Sequence, residues 1–337
     1  MADDNGVTLR RFLLDEQARG RAPAEVADLL DDIAPATCKI AALLGDGALQ
    51  DVLGPAGSKN AQGEEQKKLD LIANRIMVES LQWTGRWAGL ASEEMADPYP
   101  VPDSGRRGRF LCLFDPLDGS SNTDVNGPLG TVFSILPAAD AAVPSTAAFL
   151  QPGSRQTAAG YVVYGPATVL VLTAGRGVHG FTLDRRSGDY LLTHPDLRIP
   201  ARTAEFAANM ANQPFWAQPV QRYIRDCQAG AGGPFGKDYT MRWFGAMVAD
   251  VHRVVCRGGI FLHPWDARTP DQPGKLRLLY EVNPVSFIIE QAGGVCTTGT
   301  RRILDIQPDA LHQRCAAILG SRDEVQRLIA YHAEDGG

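Results

Sequence analysis

Residues 110–122 read Phe-Leu-Cys-Leu-Phe-Asp-Pro-Leu-Asp-Gly-Ser-Ser-Asn. The first five are apolar without alternation, which predicts a strand covered on both faces in an α/β fold. The run stops at Asp115, and Asp118 follows three residues later on a turn stiffened by Pro116. Gly119, Ser120 and Ser121 then offer backbone N–H groups and hydroxyls. Paired carboxylates call for a cation, and free N–H groups call for an anion. Such a turn suits Mg²⁺, through hard oxygen ligands, and a phosphate, through backbone donors. A bare Asp-Pro-Leu-Asp would read better as a ligand-free turn. The whole run from Phe114 to Asn122 favours the site.

Composition sets wider bounds. With 337 residues, 44% hydrophobic and 21% charged, the chain is an ordinary globular protein of two domains or one large one. A net charge of −6 and a pI near 5.6 argue against nucleic acid as a partner. The longest apolar candidate for a membrane span, residues 161–173, is short and broken by Gly165 and Pro166, so no membrane partner is expected. The acidic, polar start Met-Ala-Asp-Asp-Asn-Gly resembles neither a secretory nor a transit segment, and a cytoplasmic location is expected. The six cysteines form no C-x-x-C pair, and Cys112, Cys256 and Cys296 lie in apolar runs, so free thiols are expected.

Upstream of the central strand, residues 25–44 carry Val26, Leu29, Leu30, Ile33, Thr37, Ile40, Leu43 and Leu44 at helical spacing, with Pro35 expected to kink or split the helix. Residues 45–63 read as a long loop, mobile or functional. Residues 64–81 read as a helix, in whose first turns Asp70 either complements the dipole or takes part in chemistry. Ala91-Ser-Glu-Glu94 alone reads as a helix N-cap. Beside the Asp115 cluster it becomes a second acidic turn able to meet the first at one sheet edge.

Downstream, strand signals fall at 130–136, 160–164, 168–173 and 180–183. Gly175 to Gly180 matches G-x-G-x-x-G, but the residues after it read as strand, turn, strand. A hairpin connection is therefore expected rather than a dinucleotide site. A composition shift at 194–203 divides the chain into 1–198 and 199–337. Then come a helix at 219–227, a Gly-rich loop at 230–236, a helix from about Thr240 to Gly258 and a strand at 260–263. Residues 275–281 carry two cations and an acid in quick succession. A helix at 283–291, a buried strand at 316–320 and a capping box from Ser321 to Glu324 complete the chain. Alternating helices and strands give an α/β or mixed-layer class.

Three separated motifs carry a resemblance. The segment FDPLDGSSN at 114–122, preceded by SEE at 92–94 and followed by GKLRLLYEVNP at 274–284, resembles class I fructose-1,6-bisphosphatases of the lithium-sensitive, Mg²⁺-dependent phosphatase superfamily. NAQGEEQKKLD at 60–70, MVADVHR at 247–253 and GGIFL at 258–262 extend the likeness over nearly the whole chain. The resemblance implies a layered α-β-α-β-α sandwich, a homotetramer, and hydrolysis of a sugar 1-phosphate in gluconeogenesis or the Calvin cycle. It implies two or three Mg²⁺ ions, replaceable by Mn²⁺, on Glu93, Asp115, the Leu117 carbonyl, Asp118 and Glu281. Asp70 and Glu94 would activate water. Repulsion among so many carboxylates agrees, because divalent cations offset it. Asp118, Gly119, Ser120, Ser121 and Arg277 would hold the 1-phosphate, and Lys275 would reach the sugar. Asn209, and Arg242 from a neighbouring subunit, would bind the distal phosphate.

The sequence also departs from the family. Asn212, Trp243 and His263 stand where tyrosines usually line the distal pocket. Asn212 and His263 can still hold phosphate, but the choice between fructose and sedoheptulose bisphosphates stays open. The hydroxyls and Lys-Tyr pair of the family's AMP site are missing, leaving Arg109 and Glu25, so AMP inhibition is not expected. The plant redox insert is absent. An inositol or nucleotide monophosphatase would have no use for Lys275, Asn209 and Arg242, and an NAD-dependent oxidoreductase would need the 175–180 turn.

Overall fold

Strands buried on both faces require a layer on each side, and the chain builds five. The computed structural model describes residues 6–47, 53–59, 65–102, 108–138 and 144–335. Helices α1 (Leu9–Ala18), α2 (Ala24–Asp46) and α3 (Lys68–Leu81) form the first layer, with a ribbon of β1 (Pro55–Lys59) and β2 (Glu65–Lys67) before α3. A seven-stranded sheet follows in chain order: β3 (Trp87–Ser92), β4 (Phe110–Asp118), β5 (Leu129–Pro137), β6 (Ala158–Tyr164), β7 (Thr168–Thr173), β8 (His179–Asp184) and β9 (Asp189–His194). The single turn α4 (Thr146–Phe149) lies between β5 and β6 in the chain. In this sheet β3 and β4 run parallel, and the later pairs are antiparallel.

The second half contributes β10 (Glu205–Ala208), α5 (Gln218–Gln228), β11 (Thr240–Met241), α6 (Met247–Arg257), β12 (Ile260–His263), β13 (Leu276–Arg277), α7 (Asn283–Gln291), β14 (Val295–Thr297), β15 (Arg314–Cys315), β16 (Ala317–Gly320) and α8 (Arg322–Asp335). Five of these strands form a sheet in the order β11-β10-β12-β16-β14. Apolar residues separate into layers accordingly. Val26, Leu29, Ile33 and Met77 pack on Cys112, Phe114 and Phe133 of the first sheet. Its opposite face, with Val132, Tyr161 and Val171, meets Val248 and Val251 of α6 and Val285 and Ile288 of α7, which also cover Phe261 and Leu319 of the second sheet. Phe206, Ile260 and Ile318 pack outward on Val220 and Ile224 of α5 and Leu328 of α8. The result is the α-β-α-β-α sandwich that the motifs implied.

Several local expectations need correction. Helix α1, capped by the Thr8 hydroxyl on Arg11 N–H at 3.3 Å, had no clear signal, because charged residues crowd its short apolar stripe. Helix α2 runs through Pro35 as one element; Ile33, Ala36, Thr37 and Ile40 are all buried in one core, which holds both halves in line. Of the expected loop at 45–63, residues 55–59 instead pair with 65–67, so α3 starts at Lys68 rather than Glu64. Residues 48–52 and 60–64 lie outside those described. Ser92 ends a strand rather than capping a helix. Thr240 and Met241 extend the second sheet beside β10, and the helix starts only at Met247. All six cysteines are free, and residues 174–178 connect two antiparallel strands with no helix after them. Among the described residues no helix is long and apolar enough to cross a membrane.

The expected capping box at Ser321 is replaced by two other interactions. Ser321 Oγ accepts from Gly259 N–H at 3.1 Å, while the buried Glu324 carboxylate accepts from Tyr223 and Tyr239 hydroxyls at 2.8 Å each and from Lys237 at 2.9 Å. Glu324→Ala would strand these donors, so a loss of about 3 kcal/mol is expected. Urea titration at neutral pH measures it, and a loss under about 1 kcal/mol would show that the hub is replaceable by water.

Candidate active site

On a regular strand, residues three apart face opposite sides of the sheet. A bulge brings Asp115 and Asp118 together. Asp115 pairs with Val132 and Asp118 with Gly130, so three steps on β4 match two on β5. Pro116 has no N–H to lose from the ladder. Its carbonyl accepts from the Thr131 hydroxyl at 2.8 Å, which lies 2.7 Å from the Tyr164 hydroxyl. The third carboxylate, Glu281, comes from a π-helical turn at Leu278–Val282 between β13 and α7. Oxygens of Asp115, Asp118 and Glu281 lie within 4.8 Å of one another, and all three residues are buried.

Four of the acids accept from a main-chain donor. Leu117 N–H donates to Asp115 at 2.9 Å, Val248 N–H to Asp118 at 2.8 Å and Lys67 N–H to Asp70 at 2.9 Å; Arg277 N–H donates to Glu281. Because Val248 is in the first turn of α6, the positive end of that helix meets Asp118. Gly119, at φ 80°, lets the turn approach this helix start, where an added Cβ would lie 2.5 Å from Ala246 Cβ. Gln66, Asp70, Glu93, Glu94, Asp115, Leu117, Asp118, Gly119, Ser120 and Glu281 line one cavity of about 260 Å³. A donor set of carboxylate oxygens this close together fits a hard divalent cation. Ser121 is exposed on the adjoining 3₁₀ turn. Arg277 is buried, 3.5 Å from Glu93 and 3.3 Å from the Lys275 carbonyl, and does not line the cavity.

A second cavity is lined by Asn209, Asn212, Trp243, His263 and Lys275, among others. Trp243 stacks on Phe261 at 6.1 Å. Burial, then the charge of Lys275, lowers the His263 pKa to about 4, so its imidazole is neutral. Arg242 stands apart on the exposed segment after β11, its guanidinium 3.1 Å from the Met241 carbonyl, and lines neither cavity. Sequence reading missed three supporting residues. Gln66 donates to Glu94 at 2.6 Å, Asp250 accepts from Phe244 N–H at 3.0 Å beside the start of α6, and Arg268 donates to Asn212 at 2.7 Å. Only Asp250 had a signal, as the lone acid on the apolar face of its helix.

The sequence matches the family "Fructose-1-6-bisphosphatase, N-terminal domain" over residues 7–195 and "Fructose-1-6-bisphosphatase, C-terminal domain" over residues 199–333. The crystal structure of Leishmania major fructose-1,6-bisphosphatase in holo form is similar to this chain with a TM-score of 0.91 and 36% identity, over 98% of this chain and 99% of that one.

The gathered acids hold protons strongly. Burial, then the neighbouring Glu94 charge, raises Asp70 to about 7, and burial raises Asp118 to about 6. Asp115 and Glu281 are raised by burial and by the surrounding carboxylates. At these acids the folded chain binds more protons than the unfolded one above about pH 4, so the stability they contribute falls as pH rises through that window, while the lowered pKa values of His252 and His263 oppose it below about pH 6.5. In chelator, the melting temperature is expected to fall between pH 5 and pH 8, and less so in Asp118→Asn. Adding a divalent cation should raise it more at pH 8 than at pH 5. A fall as steep in Asp118→Asn as in the wild type would refute the mutual repulsion.

Proposed function

This chain belongs to the fructose-1,6-bisphosphatase family, and we propose that it hydrolyses the 1-phosphate of fructose 1,6-bisphosphate, with Mg²⁺ held by Glu93, Asp115, Leu117, Asp118 and Glu281. The observation that carries the reading is the buried triad with oxygens within 4.8 Å of one another, joined by β13 to the second cavity. Lys275 lines that cavity, and two residues later Arg277 N–H holds Glu281. Two extended residues span about 7 Å, a separation suited to a sugar with a phosphate at each end. A monophosphatase would need only the acidic cavity.

Bound there, the cation would acidify a water and offset charge on the phosphoryl oxygens. The rest falls to side chains. Asp70, whose Oδ1 is buried without a hydrogen-bond partner among the described residues, takes the proton of the attacking water together with Glu94. Backbone N–H groups of the Gly119–Ser121 turn grip the phosphoryl group, and the buried Arg277 charge supports it. Asn209, His263 and Lys275 hold the remote phosphate. Arg242 reaches it from a neighbouring subunit of a homotetramer, in keeping with its exposed place. Residues 1–198 then supply most of the acids and 199–337 the sugar-phosphate contacts. A cytoplasmic location is part of the same reading, and the net charge of −6 speaks against a nucleic-acid partner. Inhibition by AMP is not expected, because the hydroxyls and the Lys-Tyr pair of the family's AMP site are missing, and the Arg109 and Glu25 that remain pair with each other.

Phosphate release from fructose 1,6-bisphosphate, sedoheptulose 1,7-bisphosphate and inositol 1-phosphate, with and without Mg²⁺, tests the activity. The bisphosphates should be cleaved only with the cation, and Asp118→Ala should lose at least about a thousandfold. Full turnover in EDTA would end this reading. Arg242→Ala should raise KM with little change in kcat, because a remote phosphate is bound alike in ground and transition states. A kcat defect at constant KM would remove Arg242 from that role.

A further inference from the structure

The turn Met210–Phe215 and the loop after β12 meet at the second cavity, and Arg268 ties them together. Its Nη2 donates to Asn212 Oδ1 at 2.7 Å, and its Nε donates to Asp266 Oδ1 at 2.9 Å, with a second bond from Nη2 to Asp266 Oδ2. Arg268 N–H donates to the same Asp266 Oδ1 at 2.9 Å. The guanidinium also lies 4.4 Å from the centre of the Phe215 ring. Such a fork cannot be copied by lysine, which carries a point charge on a flexible stem. Asp266 cancels the added charge, so the cavity gains orientation from Arg268 more than potential.

An amide oxygen that accepts from a donor keeps a second lone pair, but it is turned toward that donor, and the NH₂ group then points the other way. Asn212 Oδ1 is taken by Arg268, and Asn209 Oδ1 accepts from Ala211 N–H at 3.2 Å. Both asparagines line the cavity with Lys275 and His263, and His263 Nδ1 is buried without a hydrogen-bond partner among the described residues. We propose that Arg268 is a positioning residue that sets this cavity for a phosphate, by holding the Asn212 oxygen so that the amide turns its N–H bonds to the cavity. This rests on the reading that the cavity takes the phosphate remote from the acids. A freely turning Asn212 would present its oxygen to the anion part of the time, and an asparagine so fixed replaces a donor that a hydroxyl would have to rotate into place.

The test measures kcat and KM for fructose 1,6-bisphosphate and, by calorimetry, the Kd of fructose 6-phosphate, which carries the remote phosphate alone. Arg268→Ala should raise KM and that Kd together, by fivefold or more, with kcat within twofold of wild type. Arg268→Lys should fall between the two. Asn212→Asp keeps an acceptor for Arg268 but turns an oxygen to the phosphate, and should raise both constants at least tenfold. It carries the test if Arg268→Ala does not fold. An unchanged KM in Arg268→Ala or Asn212→Asp, or a fall in kcat at constant KM, would overturn the role of Arg268. A wild-type protein that binds neither sugar phosphate would instead overturn the reading of the cavity, and this role with it.

Discussion

Like charges forced into a small space with little water are the constraint on which the rest of the structure depends. Asp115, Asp118 and Glu281 converge to within 4.8 Å, and Asp70, Glu93 and Glu94 border the same cavity. Nothing in a hydrophobic core would gather them, and burial penalises each. The structure meets this by giving acids single backbone donors from separate places: the bulge of β4, the start of α6, the entry to α3 and the strand β13. One donor fixes a carboxylate without neutralising it, and a second oxygen stays available for a cation. Four elements from both halves of the chain thus have to be in place before the site exists.

That dependence also explains what was legible. The five apolar residues of β4 and the acids after them could be read directly, because an unbroken apolar strand and clustered carboxylates each have one economical interpretation. The layer order became readable only through the resemblance of separated motifs, since periodicity says which residues are buried and not what they are buried against. The continuity of α2 through Pro35 was hidden for the same reason: local propensity argues for a break, and packing on both sides of the proline overrides it. Gln66 and Arg268 were invisible because their partners, Glu94 and Asn212, lie 28 and 56 residues away. Glu324 was misread because a capping pattern is local, whereas its actual partners Tyr223 and Tyr239 come from about a hundred residues earlier.

Helix α6 shows how the layers are joined to the chemistry. Its N-terminal N–H holds Asp118, and Val248 and Val251 on the same helix fill the space between the two sheets. Gly130 is a glycine for this reason, since an added Cβ would lie 2.3 Å from the Val162 carbonyl and 2.6 Å from a Val248 methyl. A displacement of the second sheet relative to the first would therefore be felt directly at an acidic oxygen. Packing density turns that contact into a positional constraint, because a filled interlayer space has no soft direction in which to relax.

The bulge in β4 has a counterintuitive consequence. Deleting Leu117 would leave the two aspartates two residues apart, still on one face of the sheet, and would restore one-to-one pairing with β5, with Pro116 alone lacking an N–H. The shorter strand would be the more regular one. What it would lack is the Leu117 N–H that fixes Asp115 and the Leu117 wall of the acidic cavity. Regular pairing and a working cleft are thus competing demands on the same three residues, and the chain keeps the less regular solution. A selection for thermal stability alone, blind to turnover, would be drawn toward removing that extra residue, and would erase the site while leaving the fold intact.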